Sequence, residues 1–205
     1  MKRWLPKRWL LVISLCVALA AMAVFLLADG GGNDQAVKLK PEMDHEAGAA
    51  PIFQQNDSRW AESPMGQTQY KMAGSGCLVS CIAASLKAQG ADTDPGRLNE
   101  LFGAHHVYNE DGEVLWSRIA DAVPGVRVDV PKAVDVQRLE RELARGRYPI
   151  VKVKYLGSGY QHWVLIVGAA AGEYLCMDPL SAQGGFVPLS RHGGAVYRVR
   201  YVWVE

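Results

Sequence analysis

No Gly-x-x-x-x-Gly-Lys-Ser/Thr stretch occurs among the 205 residues, which excludes a phosphate-cradling loop and, with it, an ATP-binding cassette in this chain. No segment repeats at a fixed period, so a stacked-repeat architecture is excluded. Acidic residues are missing from residues 1–27, which hold Lys2, Arg3, Lys7 and Arg8. The remainder carries 18 of the 22 basic residues against all 21 acidic ones. That formal −3 leaves no basic stripe of the kind nucleic acid selects. Cysteine is scarce, four in all. Cys77 and Cys81 stand at i, i+4, but no second Cys or His pair has the spacing of a four-ligand structural zinc site.

Hydrophobic residues make up 49% of the chain, enough for a sizeable core. Leu10 to Leu27 is an unbroken apolar or small run, about 27 Å long as a helix and close to the thickness of a bilayer's hydrocarbon core. Four positive charges precede it and none follows until Lys38. The expectation is a cytoplasmic basic stub and a transmembrane signal anchor over residues 1–28, with everything beyond outside the cell membrane. Ala21-Met22-Ala23 has the small-x-small pattern of a cleavage site, and cleavage there gives a secreted domain instead. The apolar run continues past that site, which favours the anchor. Cys77, Cys81 and Cys176 then lie in an oxidising compartment in odd number, so at least one thiol has no partner within the chain.

Residues 29–50, beginning with Gly30-Gly31-Gly32-Asn33-Asp34, read as a flexible linker. The folded domain is expected over residues 51–205. Gly76-Cys77 opens a helix with Val79, Ile82, Ala83 and Leu86 on one face, and Gly90 stops it. Asp94-Pro95 starts a second helix, Leu115 to Ala122 forms a third, and Asp135 starts a fourth that Gly146 ends. Strands follow at Tyr148–Tyr155, His162–Val167, Glu173–Asp178, Phe186–Leu189 and Ala195–Val204. In the last, Tyr197, Val199, Tyr201 and Trp203 alternate with Arg198 and Arg200. Helices first and an antiparallel sheet second define an α+β fold.

Cys77 at a helix start meets the partial positive charge and free N–H groups that favour a thiolate. Paired as a hairpin across Ala169-Ala170-Ala171-Gly172, His162 falls opposite Pro179, one step from Asp178. A carboxylate beside an imidazole fixes its tautomer and stabilises its protonated form. A cysteine, a histidine and an aspartate so placed are the parts of a thiol acyl-transfer site. Spacing alone does not join Cys77 to His162. Cys81 and Cys176 are expected as buried free thiols, although a disulfide between them is open. His105 and His106 belong to an exposed loop, and His192 to a Gly-rich turn without catalytic work. Trp60, Trp116 and Trp163 are core or groove walls, Trp163 shielding the His–Asp pair.

Four stretches in order resemble the bacteriocin-processing (double-glycine) cysteine peptidases in their broader stand-alone form, within the papain-like group. They are Gln54 to Ala61, Ser75 to Ser80, His162 to Gly168, and Met177-Asp178-Pro179. The resemblance spans about residues 51–182. It implies a papain-like fold with a nucleophile helix on an antiparallel sheet, and a peptide or protein substrate. Cys77 would be the nucleophile, His162 the base, Asp178 its orienter, and Gln55 the oxyanion donor, with Gln54 the alternative. No metal or organic cofactor is implied. Without a cassette, the double-glycine substrate preference does not carry over. Two rival readings stand beside this one. The first is a cell-wall peptidase or amidase of the NlpC type, which uses a second histidine. The second is a membrane-tethered peptide-binding module without turnover.

Overall fold

The computed structural model describes residues 35–205. The expected stub and anchor over residues 1–28 lie outside the described residues. Among the described residues, no helix is long and apolar enough to cross a membrane.

Helix α1, Cys77–Ala88, is apolar nearly all round and buries every residue from Leu78 to Leu86. Asp94 caps α2, Pro95–Ala104, by accepting from the Arg97 N–H, and Asp135 caps α3, Val136–Ala144, by accepting from the Arg138 N–H. The expected helix at 115–122 is a 3-10 turn, Trp116–Arg118, leading into a single α-turn, Ile119–Ala122.

The strands are β1 Val37–Lys38, β2 Val126–Asp129, β3 Ile150–Lys154, β4 Gln161–Ala170, β5 Glu173–Met177, β6 Val187–Pro188, β7 Ala195–Val196 and β8 Arg198–Val204. Six of them make one antiparallel sheet in the order β2-β8-β3-β4-β5-β6. Helix α1 packs on β4, β8 and β3. Two features depart from the expected elements. β2 adds an edge strand from the helical half of the chain, and the last strand breaks at Tyr197, whose N–H turns to the Lys152 carbonyl.

A third departure lies in residues 35–50, expected as linker. They run along the domain as a strap. Val37 pairs with Val196 in β7. β3 begins at Ile150, opposite Leu165, so the far half of β4 has no β3 partner. The strap supplies one there. His45 and Ala169 exchange both backbone hydrogen bonds, at 2.8 and 2.9 Å, and the Gly48 N–H donates to the Val167 carbonyl at 2.9 Å. Glu140 of α3 holds the strap from the side, accepting from the His45 ring, the Tyr174 hydroxyl and the Glu42 N–H. Buried backbone groups need partners, and a free edge of β4 is the physical reason that this polar, aperiodic stretch is ordered. A β-bulge between Ile166 and Gly168 marks the same place. A Cβ on Gly168 would come within 2.7 Å of the Ala47 Cα, so only glycine admits the strap.

Candidate active site

Cys77 is the first residue of α1 and half-buried. Gly76 before it offers no side-chain cap, and a Cβ there would strike the Met72 carbonyl at 2.6 Å. The first N–H groups of the helix therefore stay open beside the sulfur. Sequence reasoning expects the thiol to be acidified, and the balance is the reverse. Burial pushes the Cys77 thiol up, while the backbone N–H groups of Trp163, Leu78 and Cys77 itself pull it down less strongly. The resting group is a thiol.

The Trp163 backbone ties α1 to β4. Its carbonyl accepts from the Cys81 Sγ at 3.5 Å. His162 is the preceding residue, and both His162 and Cys77 line one cleft of about 500 Å³. His162 Nε2 lies 2.7 Å from Asp178 Oδ1, with both side chains buried. That leaves Nδ1 for other work. The bulge in β4 shifts the hairpin register by one place, so Leu165 pairs with Met177 and Ile166 with Cys176. Continued, this register sets Asp178 diagonal to His162 on the same face, whereas the expected register has it on the other.

Asp178 has three partners. Burial raises its pKa, but hydrogen bonds from His162 and the Leu180 N–H (2.9 Å), with the nearby His192 ring and the charge of His162, outweigh burial and hold the carboxyl well below the usual range. His192, read from sequence as a bystander in a turn, is wholly buried, with Nε2 3.4 Å from Asp178 Oδ2. That is ion-pair distance without hydrogen-bond alignment, since both atoms lack a formal hydrogen-bond partner. Nδ1 of His192 accepts the Leu156 N–H at 3.3 Å, which assigns the proton of the neutral ring to Nε2, the side of Asp178. Leu156 holds a left-handed φ of 50° to present that N–H, a strained conformation for leucine.

The shield over the pair also differs from expectation. Tyr155 stands edge-on to His162, with centroids 5.4 Å apart, and Tyr160 stacks on Tyr155 at 5.3 Å. Trp163 instead leans on Trp116 at 6.1 Å, and both line the cleft. Trp60 is core, with its indole N–H on the Gln54 carbonyl. His105 and His106 are exposed. Cys81 and Cys176 are buried free thiols.

Gln55 is buried and lines the cleft with Cys77. Its backbone N–H donates to the Pro179 carbonyl at 3.0 Å, and its amide Nε2 to the Ala73 carbonyl at 2.7 Å. Gln54 turns its amide to the Ser181 carbonyl at 2.8 Å. The cleft is completed by residues that sequence reasoning did not place in a site, chiefly Lys152 and Arg200. Their one signal was the alternation of the last strand, which set arginines on a single face without showing what that face lines.

No protein-family model matches the chain, and no curated protein matches it in sequence. Among solved structures, it is similar to a candidate C39-like peptidase from Bacillus anthracis, with a TM-score of 0.52 and 13% identity. The match covers 78% of this chain and 98% of that one. The class thus defined is an α+β domain with a C39-like peptidase fold.

Proposed function

We propose that the chain is a thiol peptidase hydrolysing peptide bonds through Cys77, His162 and Asp178. One observation carries this reading: Cys77 at the helix start and His162, already held through Nε2 by Asp178, line the same cleft. His162 Nδ1 takes the thiol proton as the sulfur attacks a peptide carbonyl. The Cys77 N–H and the second amide N–H of Gln55 receive the oxyanion. The same proton then passes to the leaving amine, and water, activated by His162, releases the acyl group. No metal or organic cofactor takes part in this scheme. The apolar run at Leu10–Leu27 and the charges before it support a domain anchored at the outer face of the cell membrane.

The test is alkylation of the full chain by iodoacetamide at neutral pH, with modified cysteines mapped by mass spectrometry. A thiol raised by burial alone reacts more slowly than free cysteine. Served by His162 it reacts faster, and His162→Ala removes the advantage by about 100-fold. Cys77→Ala abolishes peptide hydrolysis with the fold intact. Hydrolysis surviving in that variant would sink the assignment. The cell-wall amidase reading draws on His192, a second histidine in the cluster. However, His162 Nε2 is held by Asp178, and His192 approaches the carboxylate, its ring 5.8 Å from that of His162. Digestion of muropeptides against linear peptides separates the two readings.

A further inference from the structure

We infer that the cleft beside Cys77 contains a carboxylate-binding subsite centred on Arg200, so that the substrate is a peptide carrying a carboxylate close to the scissile bond. This rests on the peptidase reading and narrows its substrate class.

Arg200 lines the same cleft as Cys77, His162 and Gln55. Its guanidinium sits against the paired indoles, 5.5 Å from the Trp116 centroid and 5.9 Å from that of Trp163. Nη1 donates to the Val199 carbonyl at 2.8 Å, and Nε is buried with no acceptor. Burial, then the charge of Arg198, disfavours the cation. Asp129 pulls the other way, but it is paired with Arg138. Lys152 adds a second cation to the cleft, its Nζ 5.9 Å from the Trp163 centroid. A cleft that gathers cations beside an indole pair, with a guanidinium N–H that has no acceptor, favours an anion. The planar fork of arginine suits a carboxylate. The acids of the same cleft, Asp111 and Glu113, sit on the Tyr108–Val114 loop, where Glu113 already accepts from Asn109 Nδ2 at 3.1 Å.

The experiment compares iodoacetate with iodoacetamide, reagents that differ by one carboxylate, on the full chain at neutral pH. The readout is the ratio of their rates at Cys77, set against the same ratio for free cysteine. The ratio is expected to exceed that of free cysteine by about tenfold, the gain of one guanidinium–carboxylate hydrogen bond. Arg200→Gln returns it to the free-cysteine value, and Arg200→Lys keeps part of it. Continued protection of the buried Cys81 and Cys176 in the same spectra certifies that each variant is folded. A ratio that matches free cysteine, or that Arg200→Gln leaves unchanged, overturns the subsite. The peptidase reading then stands if iodoacetamide still outpaces its reaction with free cysteine. If both reagents modify Cys77 more slowly than free cysteine, the peptidase reading fails and the subsite with it. Protection of Cys77 from iodoacetamide distinguishes the source of the carboxylate. N-acetylglutamate α-amide protects if it comes from an acidic side chain, and N-acetylglutamine protects if it is a peptide C-terminus. Protection by neither overturns the inference.

Discussion

Asp178 has an imidazole at each carboxylate oxygen, His162 on Oδ1 and His192 beside Oδ2. A buried carboxylate with one oxygen abandoned is costly, because the lost solvation has no replacement. His192 therefore acts through Asp178 on the orientation of His162. His192→Leu removes the N–H that faces Oδ2 from 3.4 Å, and the rate of Cys77 alkylation is expected to fall about threefold, less than an aligned charge-assisted hydrogen bond gives. His192→Gln, which keeps an N–H donor, recovers part of the loss. The pH profile of alkylation, recorded for both variants, separates this from mere packing. An unchanged profile in the leucine variant would show that Asp178 needs only His162. His162 and Asp178 were legible in sequence because a hairpin brings them together locally. His192 was not, because it arrives through the packing of the Leu189–His192 turn on the Tyr155–Gly157 turn, and a histidine before two glycines carries no mark of burial.

Helices were legible wherever their signals are local. Asp94 and Asp135 cap their helices as read, and Asp94→Ala is expected to cost about 1 kcal/mol in urea unfolding. The start of α1 was also legible, but the sign of the thiol shift was not, since burial is a property of the assembled cleft. The strap at residues 35–50 was invisible because its partner is the uncovered half of β4, more than a hundred residues away. Its ordering hangs on Gly168, where an added Cβ meets backbone atoms of Ala47 and His45 within 2.9 Å. Backbone yields poorly, so Gly168→Ala is expected to cost about 1–3 kcal/mol, as overpacking does. The same change speeds trypsin cleavage at Lys38. Wild-type digestion of that variant would mean that the strap is held elsewhere.

Across the whole domain, buried ionisable groups set a pH window for stability. At the acid end, Asp178 is held below its ordinary range, so its contribution is present above about pH 4 and is lost as pH falls through the depressed value. At the alkaline end, burial raises the thiols of Cys81 and Cys176 and the phenols of Tyr108, Tyr174 and Tyr201. In the unfolded chain, those thiols ionise near pH 8.5 and the phenols near pH 10. Above those values the unfolded state sheds protons that the folded state keeps, so stability falls as pH rises. The urea midpoint is therefore expected to hold level to about pH 8 and then decline, first through the thiols and then through the phenols. Replacing Cys81 and Cys176 together with alanine reduces the first part of the decline, to which Cys77 also contributes, and leaves the second. A midpoint that stays level from pH 7 to about pH 10.5 would mean that water reaches both thiols. The packing of α1 on β4, which holds Cys77 beside His162, would then be open in solution.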